Sequence, residues 1–203
     1  MLIRMNKPLF LIFLALLPLA ACNSEQKKVE ERALELCSYI PGHGLSDNAD
    51  KYLTDSYLRA YQEAMDIPEW VEYAGEIGEK EFIFYDESGN GSGEPEFRLQ
   101  EVRMIDKEHA EADVTIVRKW EDGTVDEESA GKGTMKLLLV GDEWRLDDFD
   151  GTKEKCRSFV KKIRAGLDSG AALDSLKASG WVEEDYLDRF IDDVDQFYKT
   201  YGK

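Results

Sequence analysis

Thr134-Met135-Lys136-Leu137-Leu138-Leu139-Val140-Gly141-Asp142-Glu143-Trp144-Arg145-Leu146-Asp147-Asp148-Phe149 decides the fold. Two β-prone runs, Thr134 to Val140 and Glu143 to Phe149, flank a Gly-Asp pair, the signature of a tight antiparallel hairpin. The pattern extends upstream. Ala110, Ala112, Val114, Ile116 and Trp120 alternate with Glu111, Asp113, Thr115 and Lys119, so this strand has one dry and one wet face. Asp122-Gly123 supplies the next hairpin turn. Phe97 to Ile105 reads as a strand whose apolar face switches near Gln100-Glu101, which predicts a β-bulge. Phe82-Ile83-Phe84-Tyr85 reads as a further strand, separated from it by a Gly-rich loop from Asp86 to Pro95. Consecutive antiparallel strands with short turns make a meander.

Helices flank the meander. Ala33, Leu34, Leu36, Cys37 and Ile40 follow helical spacing, and Pro41-Gly42-His43-Gly44 stops that helix. Thr54 or Asp55 is placed to cap a helix carrying Tyr57, Leu58, Tyr61 and Met65. After Gly151, the residues Cys156, Phe159, Val160, Ile163 and Leu167 fall on one helical face. Ala171 to Ser179 forms a second helix, with Gly180 where a C′ glycine belongs. Glu183 to Tyr201 forms a third. One stripe of it holds Tyr186, Phe190, Ile191, Val194, Phe197, Tyr198 and Tyr201, and its other face holds Asp188, Asp192, Asp193 and Asp195. The aromatic stripe either packs on its own domain or offers a surface to a partner.

Residues 5 to 22 give an address. Met5-Asn6-Lys7 is followed by a short apolar run and then Leu19-Ala20-Ala21-Cys22. A basic start, an apolar run of about 13 residues and a small-residue cleavage site read as a secretory signal rather than a membrane span, which needs about 20 residues. The four residues ending at Cys22 look like the bacterial lipobox, which implies that Cys22 is acylated and becomes the N-terminus. Residues 1–21 are then a signal peptide, and polar residues 22–32 a tether. Asn23 after the lipid-bearing cysteine leans towards the outer membrane over the inner. The expected location is the periplasmic side of the bacterial envelope.

Cleavage before Cys22 leaves 182 residues, enough for one domain with an appendage. Removing Arg4 and Lys7 with the signal takes the formal charge from −17 to −19. Such acidity disfavours nucleic acid and anionic membrane surfaces and suits a basic protein partner or a solvated surface. In an oxidising compartment Cys37 and Cys156 are expected to join in a disulfide; the alternative is two buried free thiols. No Cys-x-x-Cys is present, so redox catalysis and structural zinc lack their motif.

Tyr52-Leu53-Thr54-Asp55-Ser56-Tyr57 and the hairpin Gly141 to Phe149 carry a resemblance. Helices followed by a curved antiparallel sheet ending in Gly-x-x-Trp-x-Leu-Asp-Asp are similar to bacterial lipoproteins and periplasmic proteins of the nuclear-transport-factor-like superfamily. That α+β cone is shared with ketosteroid isomerases and limonene epoxide hydrolases. The resemblance covers roughly residues 30 to 150. It implies N-terminal helices packed on a conical sheet over residues 33–165; the helices of residues 166–203 are not part of it and are read as a C-terminal extension. It also implies a pocket suited to a small apolar ligand.

The chemical candidates are few. Asp147 and Asp148 are adjacent on a strand and so point to opposite faces; only one can face a cavity, while the other ends the sheet or pairs with Arg145 or Lys153. His43 and His109 both read as loop residues without a shared ligand spacing. Asp86 to Glu94 places oxygen donors at positions 1, 3, 5 and 9 of a calcium-type loop with glycine at 6, but Phe97 stands at position 12 where a bidentate Glu is needed. The expectation is a lipid-anchored binding module with no catalytic residue, metal or cofactor. It is attached to the membrane by its lipid, with the acidic residues 188, 192, 193 and 195 facing a basic protein, as in an immunity protein, or with a small apolar ligand in the cone. The alternative is an envelope hydrolase or isomerase using the cone pocket.

Overall fold

The structure is a computed structural model that describes residues 24–40, 48–67, 94–120, 122–179 and 184–202. Among them, helix α1 covers residues 24–40, α2 Ala49–Tyr52 and α3 Asp55–Met65. Strands β1 (Glu94–Met104), β2 (His109–Lys119), β3 (Val125–Val140) and β4 (Glu143–Phe149) follow. Helices α4 (Thr152–Asp168), α5 (Ala171–Ser179) and α6 (Glu184–Tyr201) close the order. The class is α+β, and the described sheet has the order β1-β2-β3-β4 with antiparallel pairing. Packing divides the chain into two compact units. One takes the described residues of Met1–Tyr52 and Gly89–Leu146, the other those of Leu53–Ser88 and Asp147–Lys203.

In the first unit, the sheet alternates as the sequence predicts. Ala110, Ala112 and Val114 of β2 are buried, and Met135 and Leu137 of β3 lie opposite Ala112 and Ala110. The predicted bulge is present as a register shift between Leu99 and Glu101. A second shift, between Ile116 and Arg118, was not foreseen. The extra residues lie on β3, where Asp126 to Gly131 face only Ile116 to Arg118 of β2. Val117 is buried and Trp120 is exposed, where strict alternation had put Trp120 on the dry face. β1 begins at Glu94, inside the stretch expected as loop, and β3 begins at Val125 rather than Thr134. The wet face carries Arg103, which donates to Asp113 and Glu111, while Thr134 donates to Asp113 at 2.9 Å.

Helix α1 also starts earlier than expected. Residues 24–32, read as tether, are helical, and Val29 is fully buried. Val29, Ala33, Leu36 and Ile40 form the buried stripe at i, i+4, i+7 and i+11. Leu34, at the edge of that stripe, is exposed.

In the second unit, α3 to α6 share one core. Ala60, Ala64 and Ile67 meet Cys156, Phe159, Val160 and Ile163 of α4, Ala172 of α5, and Phe190 and Phe197 of α6. The C-terminal helices therefore pack with α3, and a division into a 33–165 domain and a 166–203 extension does not follow the packing. Small alanines face α4 where the sequence stripe had favoured Met65, which is exposed. The aromatic stripe of α6 is turned onto its own unit: Phe190 and Phe197 are buried, and Val194, Tyr198 and Tyr201 pack against the same core. Ile191, assigned to that stripe, is exposed.

Candidate functional site

A partly buried polar cluster lies where β4 ends and α4 begins. Asp147 and Asp148 point to opposite sides, as neighbours on a strand must. Asp148 is buried, and its two oxygens accept from the backbone: Gly151 N–H donates to Oδ2 at 3.0 Å and Lys153 N–H to Oδ1 at 2.9 Å. Helix α4 has no side-chain cap at its N-cap residue, Gly151, so Asp148 supplies the oxygen that the first turn needs. The connection is tight because Asp150 (φ 48°) and Gly151 (φ 75°) both take left-handed backbone conformations.

Asp147 faces a different set. Lys153 Nζ donates to Oδ2 at 2.5 Å, and Thr54 Oγ1 donates to Oδ1 at 2.8 Å. Thr54 is the N-cap of α3; its Oγ1 also accepts from Tyr57 N–H at 3.2 Å. Burial pushes the Asp147 carboxyl upward, but the hydrogen bonds from Lys153 and Thr54, with the charges of Lys153 and Arg157, outweigh it and hold its pKa below the usual value. One threonine thus ties the start of α3 to the end of β4, and one lysine serves both aspartates, through its amide and its ammonium. Of the alternatives expected for the carboxylate that does not face a cavity, Asp147 makes the ion pair with Lys153 and Asp148 closes the turn that ends the strand.

Tyr57 is buried beside this cluster. Desolvation and the charge of Asp148 push its hydroxyl pKa far up, with a smaller rise from Cys156. Each oxygen of the two aspartates is occupied by a donor from the protein itself. The arrangement ties the end of β4 to the starts of α3 and α4 through both carboxylates.

Further along α4, a groove of about 400 Å³ separates it from α3, lined by Ala60, Glu63, Arg157, Val160, Lys161 and Arg164 among others. Arg164 donates to Glu63 through Nε (3.2 Å) and Nη2 (2.6 Å) and through Nη1 to Gly202 O at 2.5 Å. Arg157 donates to Ser56 Oγ at 3.0 Å. Sequence reasoning missed this groove because it followed the apolar stripe of α4 and not the basic residues Arg157, Lys161 and Arg164 beside it.

The other candidates separate. Asp188, Asp192, Asp193 and Asp195 are all exposed on the outer side of α6. His109 opens β2, and its Nδ1 lies 2.9 Å from Asp106 Oδ1 in the β1–β2 turn. His43 and the calcium-like loop up to Gly93 lie outside the described residues, as does Cys22; Glu94 belongs to β1. Among the described residues no cluster of histidine, cysteine or carboxylate side chains is arranged to hold a metal. No described helix is long and apolar enough to cross a membrane.

Cys37 and Cys156 are both buried and both free, so the disulfide expected between them is not formed in this structure. Burial raises the Cys37 thiol to about 11. Burial, reinforced by the charge of Asp148, raises that of Cys156 to about 12. Such thiols are poor nucleophiles, because the thiolate is the reactive form. No family model matches the chain, and no curated protein matches it.

Proposed function

We propose that the protein is a lipid-anchored component of the bacterial envelope that binds a partner and catalyses no reaction. One observation carries this reading: the lipobox-like Leu19-Ala20-Ala21-Cys22 at the end of a short apolar signal. The four exposed aspartates of α6 support a basic protein as partner, as in an immunity protein that blocks a secreted toxin. Opposite charges raise the encounter rate. The antiparallel meander with α1 packed beside it supports the cone reading, in which a small apolar ligand is a second class of occupant.

Cys22→Ser tests the anchor. The variant is expected to leave the membrane fraction and to lose labelling by a fatty-acid analogue; retained labelling refutes acylation at Cys22. Capture of a basic partner from envelope extract tests the binding half. An envelope turnover abolished by Asp147→Asn without loss of stability would replace this reading with the enzyme reading.

A further inference from the structure

Helix α1 leaves almost no chain between the proposed lipid and the folded unit. Residue 24 is already helical, Val29 is fully buried, and Gln26 Nε2 reaches Val102 O at 3.5 Å. Two peptide units separate Cys22 from Ser24, and fully extended they span at most about 7 Å. An acyl anchor at Cys22 would therefore hold the start of α1 at the bilayer surface instead of letting the unit swing on a tether. This inference rests on the lipid-anchored reading above.

The start of α1 lies at one identifiable end of the sheet. Gln26 meets β1 near its C-terminal end at Val102, and Glu25 lies against Trp144 near the start of β4. Lys28, bonded to Glu25 at 2.7 Å, also feels the charge of Asp142 in the β3–β4 turn. The β1–β2 turn is at the same end: Ile105 N–H donates to His109 O, and Leu139 N–H donates to Glu108 O, which draws the end of β3 onto that turn. Two of the most exposed aliphatic side chains stand there, Ile105 at 58% and Val140 at 40%. Trp120 marks the other end of the sheet, at the β2–β3 turn. Eleven residues of β2 separate the two ends, about 33 Å at the rise of a strand.

We propose that this end of the sheet rests on the phospholipid surface, with Ile105 and Val140 in the interfacial zone. The same turns carry Asp106, Glu108, Asp142 and Glu143, opposed by Lys107 and Lys28. Those acids fix the lipid class. A zwitterionic headgroup, whose ammonium meets the carboxylates, fits this rim, and a strongly anionic surface is repelled.

The test uses the full, lipidated chain purified from membranes and reconstituted into phosphatidylcholine vesicles containing doxyl-labelled acyl chains. Ile105→Cys, Val140→Cys and Trp120→Cys are each labelled with an environment-sensitive fluorophore, Cys37 and Cys156 being buried. Interfacial side chains sit about 5–10 Å into the headgroup–acyl boundary, so roughly half of the emission should be quenched at 105 and 140 and almost none at 120. Replacing most of the phosphatidylcholine with phosphatidylglycerol should weaken the quenching. Equal quenching at all three sites, or none at 105 and 140 in protein whose intact mass includes the acyl chains, overturns the inference and leaves the anchor standing. An intact mass without acyl chains defeats the anchor itself, and this inference with it.

Discussion

Thr54→Val removes a hydroxyl with two functions and keeps the shape of the side chain. Oγ1 caps α3 by accepting from Tyr57 N–H, and it donates to Asp147 Oδ1 at 2.8 Å. Thr54 is 4% exposed, so water does not readily replace either bond. Loss of an N-cap costs about 1 kcal/mol. A hydrogen bond to an ionised group contributes about 1.5–3 kcal/mol. Asp147 keeps its lysine and its side chain is 28% exposed, which favours the lower end of that range. The expected destabilisation is about 2–3 kcal/mol, or a fall of about 1–1.5 M in the urea midpoint for a slope near 2 kcal/mol/M.

Circular dichroism at 222 nm on the Cys22→Ser protein measures it. Repeating the substitution in an Asp147→Ala background separates the two functions: the cap contribution should persist, and about 1–2 kcal/mol should vanish as coupling. The coupling also has a pH signature. Because the folded pKa of Asp147 is depressed, its contribution is complete above the ordinary value of 3.8 and is lost as pH falls through the lower folded value. A Thr54→Val effect below about 0.5 kcal/mol, the range of an ordinary surface substitution, would refute the junction. So would strict additivity with Asp147→Ala.

Asp148→Ala leaves two backbone N–H groups at the start of α4 without their acceptor and is expected to cost about 2–4 kcal/mol, whereas Asp148→Asn keeps one acceptor oxygen and should cost about half as much; thermal melts decide, and equal losses would show that charge, not acceptor geometry, holds the turn. In protein prepared under reducing conditions, Cys37 and Cys156 should both resist alkylation while native and both react in guanidinium, read by intact mass. Rapid modification of either in the native state would contradict its burial. If protein from an oxidising compartment stays unalkylated after unfolding without reductant, the two cysteines are joined there.

Much of the sheet was legible because its phase is written in single residues. The face switch at Gln100-Glu101 signals the first bulge, since polar residues interrupt the apolar positions. The second shift gives no such sign: its extra residues lie in the polar stretch of β3 between Asp126 and Gly131, and in β2 Ile116 and Val117 are both apolar, so either phase satisfies the pattern. The first half of β3, from Val125 to Gly133, is nearly devoid of apolar residues, and pairing with β2 makes it a strand rather than its own composition. The start of α1 was hidden for a related reason. Val29 is the single apolar residue in Glu25 to Arg32, and it becomes a core position only when counted back by four from Ala33. At the junction, the Asp147–Lys153 pair could be anticipated from proximity in the chain. The cap that Asp148 provides could not, because its oxygen crosses two left-handed residues to reach Lys153.

The acidic face of α6 separates a structural role from a recognition role by opposite signs. Asp188 and Asp192 stand at i and i+4, and Asp192 and Asp195 at i and i+3, all exposed. Like charges at these spacings destabilise a helix by about 0.2–0.5 kcal/mol per pair. The helix is held by Phe190 and Phe197 on its inner side, so the aspartates impose a cost that the core absorbs. Asp192→Lys removes both repulsions and creates an Asp188–Lys pair in the favourable orientation. It should therefore stabilise the isolated protein by several tenths of a kcal/mol. With a basic partner captured on a surface-plasmon chip, the same substitution combined with Asp193→Lys should lower the association rate more than it raises the dissociation rate, and added salt should shrink the difference. Higher stability with slower association is the signature of a face kept for binding. Higher stability with an unchanged, salt-independent association rate would mean that these aspartates serve solvation alone.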